Sequence, residues 1–158
     1  MTTPAAGFTA RLDSVLARLE AHALATAAGM TPADPRTGER WDQGQVWAHL
    51  AEFIPYWIVE VGVVLASDEP PPFGRTQTDP WRLGAIDRRR NESPQALMAT
   101  LREEAAALRD LLGELDATAW ERKGVHPTLG TLTVAQIVDD FLVGHLEQHA
   151  AQLDSLDS

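Results

Sequence analysis

The sequence has no cysteine. Disulfides, thiolate-held metals, iron–sulfur clusters and cysteine nucleophiles are therefore excluded. Any metal must be held by His, Asp or Glu, and any reactive thiol must arrive on a substrate or cofactor. Positive charge is scarce too: 13 Lys and Arg stand against 23 Asp and Glu, for a formal net charge of −10. A nucleic-acid binder needs a basic footprint. The one basic run here, Arg88-Arg89-Arg90, reads as a solvated loop, so no nucleic-acid partner is expected. Long apolar runs are missing. The longest, Ile54 to Ala66, is interrupted by Glu60 and falls short of a bilayer span. The first residues lack the charged and apolar regions of a secretory signal. The expectation is a cytoplasmic protein with no membrane partner. Convincing strand alternation is also absent.

What is present is an ordinary globular balance, 44% apolar and 23% charged over 158 residues. That fits a single domain spanning residues 1–158 with a real core. Four segments carry helical periodicity. The first runs from Thr3 to Ala28, with Pro4 at the first helical position and Gly29 as its stop; Phe8, Leu12, Val15, Leu16, Leu19, Ala23 and Ala27 form its stripe. The second is opened by a capping box of Asp42 and Gln45 and continues to Ala66. Pro55 inside it removes a hydrogen bond to the Ala51 carbonyl, which predicts a kink. A long crossover, residues 67–92, contains Pro70-Pro71-Pro72 and a short helix around Trp81 to Arg90. The third helix starts at Ser93 and Pro94, and Asp116 to Gly130 is expected as a loop. A second capping box, Thr133 and Gln136, opens the fourth helix, which runs to Leu153. Four amphipathic helices imply an all-α four-helix bundle.

The histidines are the chemistry-bearing residues. His145 and His149 are four apart, about 40° of helical rotation and about 6 Å of rise, so both leave one face. That spacing suits two imidazoles on one metal. On a straight wheel both fall near Val134, inside the apolar stripe. His49 flanks the stripe of the second helix, between Val46 and Phe53. Buried imidazoles need partners, because an unsatisfied polar group costs about 1–3 kcal/mol. Three His from two facing helices would make a metal site with an open position. Read without a metal, the same residues are hydrogen-bonded core histidines. His22 reads as structural or exposed, and His126, before Pro127, lies where it would reach the mouth of the bundle. Glu60 is the candidate carboxylate base, with Glu52 more lateral. Trp47, Tyr56 and Trp57 read as core or groove aromatics.

Trp41, the run Val46-Trp47-Ala48-His49-Leu50, His126-Pro127 with Gly130 and Leu132, and His145-Leu146-Glu147-Gln148-His149 with Gln152-Leu153 together resemble the DinB/YfiT-like metalloenzyme superfamily. The resemblance implies a bundle with a long crossover between helices two and three, and a divalent metal, zinc or nickel, on His49, His145 and His149. It further implies a homodimer. In some members a low-molecular-weight thiol, mycothiol or bacillithiol, is the cosubstrate. Mycothiol-dependent maleylpyruvate isomerases are similar but usually carry Glu where this chain has His145, which counts against isomerase activity. Three functions follow as expectations: a metal-dependent thiol S-transferase acting on a small-molecule substrate, a metal-dependent hydrolase, or a non-enzymatic metal- or small-ligand-binding stress protein.

Overall fold

A computed structural model describes residues 3–25, 29–35 and 38–156. The chain forms α1 (Ala5–Ala23), α2 (Gln43–Leu50), α3 (Phe53–Leu65), α4 (Pro80–Arg89), α5 (Pro94–Glu114) and α6 (Ala117–Glu121). A hairpin follows, β1 (Lys123–His126) and β2 (Gly130–Thr133). The last helical rod is α7 (Val134–Ile137), a π-helical turn over Val138–Val143, and α8 (Gly144–Asp154). The four rods of the bundle are α1, the kinked α2–α3 pair, α5, and the α7–α8 rod. α1 lies against α5 and α8, while α2 is enclosed by α4, α5 and α8.

The local signals act as the sequence dictates. Asp42 accepts from the Gln45 backbone at 2.9 Å, and the Gln45 side chain accepts from the Asp42 N–H at 3.1 Å. Thr133 and Gln136 repeat the exchange at 3.1 and 2.8 Å. Ser93 caps α5 from outside, with Pro94 at its first helical position. Each box satisfies backbone donors that a helix start leaves orphaned. The break between α2 and α3 falls at Ala51 and Glu52, the turn where Pro55 has no N–H to offer the Ala51 carbonyl. The first helix differs from expectation. Pro4 precedes it as the cap residue, and it ends at Ala23; the predicted extension through Ala27 and Ala28 lies outside the described residues. α2 and α3 together, Gln43–Leu65, make 23 residues apolar and long enough to cross a membrane by length and composition. Half of that window is buried inside the bundle, as a core helix requires.

The predicted loop from Asp116 to Gly130 is instead a short helix and most of a hairpin. β1 and β2 pair antiparallel from Lys123↔Thr133 to His126↔Gly130. The crossover lies along the outer edge of β1: Phe73 N–H donates to the Val125 carbonyl at 3.0 Å, and Val125 N–H to the Pro71 carbonyl at 2.8 Å. Gly124 makes the approach possible, since a Cβ there would sit 2.6 Å from the Phe73 ring and 2.7 Å from Val64. The hairpin thus anchors the crossover, and the crossover carries Arg75 to Glu52 of the α2–α3 break.

Candidate metal centre

Three imidazoles meet between α2 and α8. His49 ends α2, and His145 and His149 stand one turn apart on α8. One ring nitrogen from each lies within 4.8 Å of the other two. Each Nδ1 faces an oxygen: Glu52 Oε2 for His49 at 2.8 Å, the Phe141 carbonyl for His145 at 3.3 Å, and Gln152 Oε1 for His149 at 2.6 Å. A carbonyl or ionised carboxylate can only accept, so the ring proton is assigned to Nδ1 and the Nε2 lone pair of each ring turns inward. The His49 and His145 Nε2 atoms are 3.2 Å apart. Two lone pairs that close repel unless a cation or proton lies between them. The Nε2 of His149 is buried with no hydrogen-bond partner at all.

This donor set fits a divalent metal. Two nitrogens on a tetrahedral ion with bonds of about 2.05 Å lie about 3.3 Å apart. The outward Nδ1–H bonds are the kind that hold ligating histidines in the correct tautomer and orientation. Ring packing adds a second restraint. Phe53 stacks on His145 with centroids 4.2 Å apart, and Trp41 stacks on His149 at 5.9 Å. Burial pushes the His149 pKa down to about 4, and burial with the neighbouring imidazoles holds His49 and His145 well below the usual histidine range. All three stay neutral near pH 7, which is the ligating form.

The outer partners are themselves tied down. Arg75 grips both oxygens of Glu52, at 2.6 and 2.8 Å, and its guanidinium lies 4.1 Å from the Tyr56 ring centre. Burial raises the Glu52 pKa, and Arg75 opposes that shift. Arg82 donates to the Gln77 carbonyl at 2.7 Å and stacks over Trp41. A cavity of about 530 Å³ opens onto His49 and His145, walled by Trp57, Phe141, Arg75 and Arg82. A small adjoining hollow reaches His149 and Gln152.

The sequence profile of the DinB superfamily matches residues 8–153. The chain belongs to the DinB superfamily. Its bundle is similar to that of YfiT from Bacillus subtilis, described as a probable metal-dependent hydrolase with an unusual four-helix bundle topology. That alignment is 20% identical and covers 98% of this chain and 86% of that one, with a TM-score of 0.74. A mycothiol-dependent maleylpyruvate isomerase aligns over the whole chain at 14% identity and TM-score 0.72. The DinB chain spans only 65% of that enzyme. An uncharacterized protein from Clostridium difficile 630 aligns at 8% identity, covering 98% of this chain and 95% of its own, with a TM-score of 0.67. No curated protein matches by sequence. At these identities the structural similarities establish the fold.

Within this DinB bundle the sequence-derived candidates separate. His49, His145 and His149 are brought together. Glu60 points elsewhere: its carboxylate accepts the Gly74 N–H at 3.1 Å, and it is not part of the cavity wall. His22 is not among the converging histidines and is paired with Asp154 at 2.6 Å. His126 is buried beneath the crossover, its Nδ1 accepting from the Thr128 and Leu129 backbone, with its ring against Phe141. Trp57 lines the cavity, whereas Trp47 is wholly buried in the core. Sequence reasoning gave no role to Gln152, Arg75 or Arg82 and set Glu52 aside as lateral. A signal for two of them exists, because Glu52 and Gln152 stand three residues after His49 and His149 and so lie on the same helical face.

Proposed function

We propose that this chain is a divalent-metal-dependent enzyme that activates a low-molecular-weight thiol, of the mycothiol or bacillithiol kind, for transfer to an electrophilic small molecule. The observation that carries the metal is the buried His149 Nε2 without a partner, converging with two inward lone pairs 3.2 Å apart. Zinc or nickel suits an all-imidazole donor set. Such an ion, when bound, supplies Lewis acidity that lowers the pKa of a thiol or a water.

The choice of thiol over water rests on this chain's own residues. A water needs a base, and the two glutamates that the sequence offers as bases are engaged: Glu52 by His49 and Arg75, Glu60 by Gly74. A thiol, with an ordinary pKa near 8.5, asks much less of a base than water does. The chain has no cysteine to compete for the ion. The cavity of about 530 Å³ is in the range of small-molecule sites. Trp57 and Phe141, stacked 4.2 Å apart, give it an apolar wall, and Arg75 and Arg82 give it fixed donors. Those groups bind and orient; His49, His145 and His149 hold the ion.

The test uses untagged protein. Metal analysis is expected to find about one equivalent of zinc or nickel, lost in His149→Ala. Incubation with mycothiol and an electrophile such as a chloronitrobenzene is expected to consume both, only in the metal-loaded protein. Protein that carries no metal overturns the reading at its base. The similarity to a probable hydrolase favours water as the alternative nucleophile, and ester turnover without any thiol, abolished by His49→Ala, would replace the transferase reading with it.

A further inference from the structure

The last helical rod is not regular, and the irregularity sits just before the His145/His149 pair. Val138–Val143 is a π-helical turn. Such turns are rare and carry a surplus residue inside a helix. Its effect shows in the buried residues on either side. Ile137 and Leu146 are both fully buried, yet nine residues of straight α-helix would set them about 180° apart. Only the wider turn lets α7 and α8 face the same core. On a straight rod Ile137 and Leu146 could not both face it.

Three residues build the turn. Gly144 supplies the space: a Cβ there would lie 2.0 Å from the Asp139 carbonyl oxygen and 3.1 Å from its carbon, and backbone cannot give way. Arg11, from α1, straddles the turn on its outer side. It donates to Asp139 at 2.8 Å and to both oxygens of Glu147, at 2.5 and 3.2 Å. The third is Phe141. Its ring is locked between Trp57 and His126, with centroids 4.2 and 5.0 Å away, and its carbonyl faces His145 Nδ1 at 3.3 Å. A carbonyl has two lone pairs, so at that position it can accept from the ring of His145 besides a backbone N–H.

We propose that this π turn, sized by Gly144 and clamped by Arg11, is the positioning element of the metal centre: it aims His145 at His49 and fixes its ring through the Phe141 carbonyl. The inference rests on the metal reading of the three histidines. It makes Gly144, Arg11 and Phe141 determinants of the coordination geometry although none supplies a ligand.

The decisive variant is deletion of Asp139. Removing one residue converts the surplus turn to regular α-helix: α7 and α8 keep their own faces, but His145 and His149 move along the rod by about one residue's rise, roughly 1.5 Å, relative to His49. Wild type, the deletion and Gly144→Ala are compared for metal-free thermal stability, for zinc affinity by competition with a chromophoric chelator, and for the ligand-field spectrum with cobalt. The deletion is expected to stay folded, with a melting temperature at or above wild type. Its zinc affinity should fall at least 10-fold, the low end of what outer partners command, and its cobalt spectrum should change. Gly144→Ala should shift both in the same direction. A folded deletion variant with wild-type affinity and spectrum overturns the positioning role and leaves the metal centre intact. Wild-type protein that binds neither zinc nor cobalt overturns the metal centre, and this inference with it.

Discussion

Two carboxyls withdrawn from water, Glu52 and Glu104, meet opposite surroundings. Glu52 has the Arg75 guanidinium across it and a histidine ring on one oxygen. Glu104, on the inner flank of α5, has a buried Oε2 with no hydrogen-bond partner. Burial pushes its pKa up to about 8, with Arg89 pulling it down and Glu52 and Glu103 adding to the rise. The folded state therefore holds a proton that the unfolded state releases near the ordinary value of 4.5. Between those two pH values the native protein binds more protons than the unfolded one, so stability falls as pH rises through the window. Glu104→Gln removes that dependence. Its advantage over wild type should grow from pH 5 to pH 8.5 and reach roughly 1–3 kcal/mol in urea unfolding. Equal pH profiles for the two proteins would show that Glu104 finds water. Glu52→Gln asks a different question at the same scale. Gln still accepts from the His49 ring, but without charge, and zinc affinity should drop by about 10–100-fold in a chelator competition. An unchanged affinity would reduce Glu52 to a partner for Arg75.

Elements differ in how much of them the chain announces. The caps at Asp42, Ser93 and Thr133 and the kink at Pro55 were legible because each rests on chemistry local to four or five residues. The hairpin was not. Its strands are four residues long, and what holds β1 is its pairing with Pro71 and Phe73, about fifty residues earlier, a contact that no local pattern records. The π turn was equally invisible, and it changes where the histidines fall on the wheel. On a straight rod His145 falls near Val134. In the folded chain the stripe after the turn is Leu142, Leu146, Ala150 and Leu153, and His145 sits at its edge. The right residues were reached through an incomplete geometry, because the i, i+4 spacing of the pair lies wholly within α8 and survives the turn. The crossover carries its own prediction. Gly74 has φ +89°, and a Cβ would lie 2.7 Å from the His126 ring. Gly74→Ala should cost about 1–3 kcal/mol, read as a lower urea midpoint with an unchanged slope. A full-stability variant would mean that the crossover can move off β1.

At the scale of the whole molecule the fold class came from four apolar stripes, and the site from the three histidines. The cavity wall did not, because Arg75 and Arg82 reach it from the crossover and α4, whose positions only the assembled bundle defines. A ligand that binds the native state alone stabilises it by mass action, about 2.7 kcal/mol at a free concentration 100 times its dissociation constant. Zinc or nickel should raise the melting temperature of wild type by several degrees, EDTA should reverse the rise, and His149→Ala should abolish both effects. Identical melting of the chelated and metal-supplemented proteins would sink the prediction.

His49 and His145 are 96 residues apart in the chain and in contact in space. An ion seated on both therefore ties the kink of the α2–α3 rod to the last helix, like a reversible staple closing most of the polypeptide into a ring. The carboxy-terminal helix could then peel away only as fast as the ion leaves, so resistance to proteolysis from that end would be set by a dissociation rate, a quantity separate from the equilibrium stability of the bundle.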